Sequence, residues 1–288
     1  MEKKLEGLTK YLLMMIVVVS IFTINIGRPQ ALHNNYVNYY GIEMTDDEYL
    51  TLVNLGFTDD EIQYMTKETF DENKDLDATL LTTGHKYLKI TYPIYGIPYV
   101  TELSELEFLQ QTSNQANAPL GQLVTQFIQE TSTISQNGAK YRYKDSVNWF
   151  SIPSEHYYDV TGIGFINSVK IDSSVYFNYI YANSSGQYTT STLYYDKKST
   201  STGGTTVYKI PNNIVMLSSN IYFDVIKNTT DTLTYLEFCG DYAHALSSVT
   251  ASQAADHGIG SLGIDHGVSV YNYYNHIPCC DAGVTVNW

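Results

Sequence analysis

Basic side chains are scarce in this sequence: 16 Lys and Arg stand against 30 Asp and Glu, a net charge of −14 over 288 residues. A nucleic-acid partner is excluded, because neutralising phosphates requires the opposite excess. Charge of either sign is thin at 16%, while 43% of residues are hydrophobic. A chain of that balance buries a core instead of staying disordered. There is no HExxH, no CxxC and no internal repeat, which removes the local zinc signatures and the solenoid architectures. Only three cysteines occur, Cys239, Cys279 and Cys280. They allow one bridge from Cys239 to either member of the vicinal pair, or three thiols, and sequence separation alone does not choose.

A long apolar run occurs once, at the start. Lys3, Lys4 and Lys10 precede an uncharged stretch from Tyr11 to Ile26 that ends at Gly27, Arg28 and Pro29. Crossing the hydrocarbon core takes about 20 apolar residues, and this stretch falls short. Residues 1–31 are therefore expected to be a secretory signal peptide cut after Ala31, with an uncleaved N-terminal anchor as the alternative. Both place the remainder outside the cytoplasm, secreted or on the extracellular face of the membrane. The only membrane contact expected is through that uncleaved segment.

The acidity is local. Residues 43–77 carry twelve carboxylates against Lys67 and Lys74, a net of −10, whereas residues 78–288 carry −6. Thr45-Asp46-Asp47-Glu48 and Thr58-Asp59-Asp60-Glu61 are capping boxes, in which the Thr hydroxyl accepts from the N3 amide and the N3 Glu reaches back to the N-cap amide. Carboxylates in a first turn also face the positive end of the helix dipole. Gly56 sits where a left-handed residue stops the first helix. Tyr49, Leu52, Val53 and Leu55, then Phe57, Ile62 and Met65, supply apolar stripes for two packed helices, and a third turn begins at Thr66 and buries Phe70. The charge run reads as a solvated helix face plus caps.

After residue 80 the pattern turns to strands. Tyr141, Tyr143, Val147 and Trp149 alternate with Arg142, Lys144, Ser146 and Asn148, a period of two with one face apolar. Ile221, Phe223 and Val225 alternate with Tyr222 and Asp224 in the same way. Residues 175–181, the turn Asn183-Ser184-Ser185-Gly186 and residues 187–195 read as strand, turn, strand. The fold class expected is α+β: residues 32–82 a small acidic helical module, 83–135 a mixed connecting region, and 136–288 a mainly antiparallel β-sandwich of roughly nine to eleven strands.

Leu55-Gly56-Phe57, Glu61-Ile62, Met65, Phe70 and Asn73-Lys74-Asp75, followed by Trp149, Pro153, Asp159 and Gly162-Ile163-Gly164, carry a resemblance. With looser agreement at Gly240 to Ala245, the chain resembles a family of signal-peptide-bearing secreted proteins of Gram-positive bacteria. The resemblance implies export and a helical front with a β-rich body, and it implies no activity. His156 and Tyr157 stand where an Arg-Ser pair is common in that family.

Few residues point to chemistry. Asp71, Asn73, Asp75 and Asp77 follow the spacing of a calcium loop, but Leu76 replaces its Gly and Thr82 its bidentate Glu, so a polar helix end is expected. His244, His257, His266 and His276 crowd the C-terminal quarter beside Asp241, Asp256 and Asp265. Imidazole and carboxylate suit zinc or copper, yet the spacings match no metal signature, and loop histidines in turns are the simpler expectation. Gly258-Ile259-Gly260-Ser261-Leu262-Gly263 has the letters of a dinucleotide loop without the strand before it or the helix after it. A Cys239 nucleophile with His266 or His276 as base is formally open. Tyr39-Tyr40, Tyr157-Tyr158, Tyr194-Tyr195 and Tyr273-Tyr274 are adjacent pairs among 27 tyrosines; on strands one ring of each pair faces out, a flat amphipathic platform for sugar faces or protein partners, although ordinary β propensity and core packing are the simpler expectation.

No catalytic, cofactor-binding or metal-binding residue is assigned, and no cofactor is expected. The function expected is that of a secreted or cell-surface, non-enzymatic binding module whose partner is a glycan, a cell-envelope component or a host protein. An extracellular metal-assisted hydrolase built on the C-terminal His and Asp residues and a structural coat or matrix subunit are the alternatives.

Overall fold

Three threonines open three helices. Thr45, Thr58 and Thr66 take extended N-cap backbones ahead of α1 (Asp46–Asn54), α2 (Asp59–Gln63) and α3 (Lys67–Asn73). Both capping boxes form: the Thr45 and Thr58 amides each donate to the N3 glutamate at 2.8 Å, and Glu48 N and Glu61 N return to the threonine hydroxyls at 3.2 Å. Gly56 adopts φ 76°, which lets the chain reverse between α1 and α2 without a Cβ penalty. The computed structural model describes residues 36–288 apart from 94–97, 114–122, 154–155, 167, 246–248, 256–257, 261–262, 266–273 and 277–279. The expected signal segment therefore lies outside the described residues, and among these no helix is long and apolar enough to cross a membrane.

The rest is mostly antiparallel sheet. Strands β1 (Ala78–Tyr92), β2 (Tyr99–Leu103), β3 (Leu123–Gln136), β4 (Lys140–Trp149), β5 (Tyr158–Phe165), β6 (Val169–Ile171), β7 (Tyr176–Asn183), β8 (Tyr188–Ser191), β9 (Asp196–Thr200), β10 (Gly203–Lys209), β11 (Ile214–Lys227) and β12 (Phe238–Ala245) are followed by the short β13 (Tyr274–His276) and β14 (Cys280–Asp281). One sheet has eight strands in the order β8-β7-β11-β4-β3-β1-β2, with β6 also on β11; the second has six, β9-β10-β5-β12-β13, with β14 also on β12. Asn137 and Gly138, at φ 54° and 66°, make the tight β3–β4 hairpin. The Asn183 side chain caps the β7–β8 turn through Ser185 N at 3.0 Å.

The two sheets face each other across an aromatic core. Tyr143 of the first stacks on Phe238 of the second at 4.2 Å between centroids, and Phe165 meets Phe223 at 5.8 Å. A second core lies on the other side of the eight-stranded sheet, where Leu52, Leu55, Phe57, Ile62, Met65 and Phe70 of the helices pack on Ile134 and Tyr222. The order of layers is helices, large sheet, small sheet.

Several expectations change here. Residues 83–135, read as a connection, supply most of β1, then β2, α4 (Glu105–Ser113) and most of β3. The alternation in β4 is real, but its polar face is not solvated: Arg142, Lys144 and Ser146 are buried beneath the helices. Glu61, read as a cap on an exposed helix face, is buried as well. The calcium-like spacing forms α3 and its end, the helix end expected of it, with Asp71 paired to Lys67 and Asn73 buried against the Arg142 guanidinium at 2.6 Å. Gly258–Gly260 pairs antiparallel with Gly263–Asp265, which gives the glycine-rich stretch short strands. Cys239 is disulfide-bonded, which removes it as a nucleophile, and Cys280 keeps a buried thiol donating to Gln129 O at 3.8 Å. Cys279 lies outside the described residues.

Candidate binding surface

A tight turn builds the first part of the surface. Gly41 N donates to Asn38 O at 3.0 Å with Gly41 at φ 79°, so Asn38-Tyr39-Tyr40-Gly41 reverses direction and throws both rings outward. Buried Asn38 fixes the turn: its Oδ1 accepts from Tyr40 N and Ile42 N at 3.0 Å, and its Nδ2 donates to Met65 O at 2.8 Å. Tyr39 and Tyr40 remain 51% and 45% exposed. Tyr39 packs against Tyr40 and Tyr64, each at 5.3 Å, and Tyr64 stacks on Tyr188 at 4.1 Å and 11°. Burial, then the neighbouring Tyr188, pushes the Tyr64 phenol above its ordinary value, so it stays neutral.

This cluster sits on an edge. Strand β8, which contributes Tyr188, ends the eight-stranded sheet. The Tyr40 hydroxyl accepts from Thr190 N and donates to Thr190 Oγ1, both at 3.2 Å, which occupies an outward group of an edge that would otherwise recruit another strand. Beyond Ser191 the chain runs through Leu193, Tyr194 and Tyr195, exposed at 75%, 48% and 54%, into β9, the edge of the other sheet. Lys197 Nζ lies 4.9 Å from the Tyr194 ring, and Tyr158 meets Tyr195 edge-on at 5.8 Å. Tyr40 also borders an open hollow of about 580 Å³ lined by Ile42, Glu48, Lys67, Phe70 and Lys74 among others.

Two of the four tyrosine pairs are therefore displayed, by a different route from the one expected. Tyr39-Tyr40 and Tyr194-Tyr195 lie outside strands, and both rings of each pair are exposed instead of one. Tyr157 and Tyr158 are half-buried against the small core of Val160, Val207 and Ala243. Tyr273 lies outside the described residues, and Tyr274 begins β13. Tyr64 and Tyr188 are not legible in sequence, because isolated residues of two distant segments meet only in space.

The histidines do not form a described cluster. His257 and His266 lie outside the described residues, and the backbone of His276 pairs with Ala243. His244 is fully buried: its Nδ1–H donates to Asp159 Oδ2 at 3.0 Å, and its ring meets Trp149 edge-on at 5.2 Å. Asp159 also accepts from Ala245 N at 3.0 Å and from the Tyr242 hydroxyl. Burial and the Asp159 charge push the Tyr242 phenol far above its ordinary value. Among the described residues no three His, Cys, Asp or Glu side chains gather as metal ligands.

No protein-family model matches the chain, and no curated protein matches it in sequence. Solved structures overlap parts of it. The collagen-binding domain from a Staphylococcus aureus adhesin is 8% identical, with 51% of this chain and 89% of that one covered and a TM-score of 0.29. The collagen-binding domain of Erysipelothrix rhusiopathiae surface protein RspB is 10% identical over 56% and 62%, with a TM-score of 0.28. A Streptococcus parasanguinis Fap1 fimbrial structure is 16% identical over 55% and 79%, with a TM-score of 0.25.

Proposed function

We propose that this protein is an extracellular, non-enzymatic binding module whose ligand lies along the aromatic edge from Tyr39 through β8 to Tyr195. The observation that carries the reading is the display of Tyr39, Tyr40, Leu193, Tyr194 and Tyr195 on a framework that holds them in place. Scattered exposed apolar residues are ordinary, but rings grouped on a rigid turn and two sheet edges offer flat apolar faces with hydroxyl rims at low entropic cost. Such faces suit sugar rings and protein surfaces alike. The basic, apolar segment at residues 3–26 supports export, which puts the surface before a glycan, a cell-envelope component or a host protein.

The test uses residues 32–288 immobilised and probed with cell-wall polysaccharide, peptidoglycan and extracellular-matrix proteins. Saturable binding to one class, lost in Tyr39→Ser/Tyr194→Ser with an unchanged circular dichroism spectrum, is the expected result. Binding that survives the double substitution would overturn the assignment of the surface.

A further inference from the structure

Beneath α2, on the helix-facing side of the eight-stranded sheet, three groups meet that the binding surface does not use. Glu61, Lys144 and Asn220 are 3%, 1% and 2% exposed. Lys144 Nζ lies 3.0 Å from both Glu61 oxygens and 2.6 Å from Ser146 Oγ. Asn220 Nδ2 donates to the same Glu61 Oε1 at 2.7 Å and to Asn178 Oδ1 at 2.7 Å. Lys144 pairs with Tyr222 and Ser146 with Asn220 across β4 and β11, so Lys144 and Asn220 are diagonal neighbours on one face. Diagonal neighbours lie about 7–8 Å apart, a span that a lysine side chain covers. The other carboxamide atom, Asn220 Oδ1, is buried with no hydrogen-bond partner among the described residues.

That orphan oxygen lies on the amide that contacts the Glu61 carboxylate. A buried carbonyl without a donor is costly, and turning the amide over would set its oxygen against the Glu61 carboxylate. One proton shift resolves the conflict: if the proton passes from Lys144 to Glu61, the resulting acid is a donor for Oδ1 and Lys144 becomes a neutral amine, a nucleophile held beside a polarised amide.

The geometry points to an autocatalytic amide cross-link between Lys144 and Asn220, with Glu61 as the catalytic proton carrier. Lys144 Nζ attacks Asn220 Cγ while the Glu61 acid hydrogen-bonds Oδ1. In the tetrahedral adduct Glu61 transfers a proton from Nζ to Nδ2, the Cγ–Nδ2 bond breaks, and the nitrogen leaves as ammonia. One N–C bond forms and one breaks, with no oxidant and no co-reactant. The protein is its own substrate, and burial under Phe57, whose ring lies 5.6 Å from Nζ, excludes the water that would hydrolyse the adduct.

The decisive measurement is the intact mass of the folded mature chain together with its proteolytic peptide map. The expected result is a mass lower by one ammonia than the sequence mass corrected for the Cys239 disulfide, with the peptides of Lys144 and Asn220 joined. Glu61→Gln, which keeps the shape of the cap, is expected to fold and to keep the full mass. Full mass in the folded wild type with the two peptides separate would overturn the proposal. So would a bond from Lys144 to Asn178, or a cross-link that forms equally well in Glu61→Gln.

Discussion

Replacing Asp159 with Ala tests the interior of the sandwich. The fully buried carboxylate accepts from His244 Nδ1, Ala245 N and the Tyr242 hydroxyl. Tyr242 keeps company when Asp159 is removed: Trp149 Nε1 donates to its oxygen at 3.3 Å and the Tyr208 hydroxyl lies at 3.5 Å. Among the described residues the His244 and Ala245 donors have no such substitute. Each buried donor left unpaired costs about 1–3 kcal/mol, so two cost about 2–6 kcal/mol, with about 4 kcal/mol as the expected value. Against a total of about 5–15 kcal/mol, that is a large share of the stability. The assay is urea unfolding followed by tryptophan fluorescence, with Trp149 against His244 as a local reporter. The midpoint should fall with the slope unchanged. Tyr242→Phe, which removes one donor and leaves the carboxylate its other two, should cost only about 1–2 kcal/mol. In the double variant Asp159→Ala/His244→Ala the losses should add by clearly less than their sum, since both remove one interaction. A loss below about 1 kcal/mol for Asp159→Ala would refute the reasoning, because it would mean the donors find other partners at no cost.

Gly84 lies where the C-terminal segment crosses β1, and a methyl there would overlap the Asp281 carbonyl oxygen; Gly84→Ala is expected to lower stability by about 1–3 kcal/mol in thermal unfolding, and an unchanged melting temperature would show that the crossing is loose. His85 Nε2 lies 2.8 Å from Glu130 Oε2. That hydrogen bond raises His85 above its ordinary value against the opposing effect of burial; burial works to raise Glu130 too, yet the His85 bond and the Lys144 and His85 charges hold it below its ordinary value. The raised histidine stabilises fully below its unfolded value and loses its effect as pH rises through the folded one, whereas the lowered glutamate stabilises above its unfolded value and loses its effect as pH falls. The pair is thus strongest in mildly acidic solution and fades above about pH 6.5, by less than about 1 kcal/mol because the imidazole is half-exposed. His85→Gln should flatten the urea midpoint between about pH 5.5 and 8, and an unaltered slope would assign the pH dependence to other groups.

Local physics was readable without coordinates. The two Thr-Asp-Asp-Glu boxes stop the chain from choosing any other helix start, because each satisfies two orphan amides through residues three apart. Gly56 ends the first helix for a reason contained in one residue, and the alternation from Tyr141 to Trp149 is a property of strand geometry alone. Those signals need only neighbours along the chain.

What covers each face is decided by packing between distant segments. Arg142 and Lys144 have the same spelling on a solvated strand as on a buried one; they are buried because α2 and α3 lie over β4 and bring Glu61 and Asn73 to them. The same holds for the functional surface. Adjacency marks Tyr39-Tyr40 and Tyr194-Tyr195 along with two other pairs, yet the rule of strand neighbours facing opposite ways does not apply to these two, since both lie outside strands. Tyr64 and Tyr188, 124 residues apart in the chain, stack on each other beside the first pair, and no periodicity encodes such a meeting. His244, read with three other histidines as a loop residue in a turn, lies instead on β12, and the register of β5 against β12 makes it the partner of Asp159. Sequence alone determined where helices begin, where turns fall and which residues alternate, because hydrogen bonds and backbone sterics act within a few residues. Tertiary structure decided which carboxylate meets which cation and which ring meets water, because burial and charge pairing depend on surfaces that only the assembled sheets and helices create.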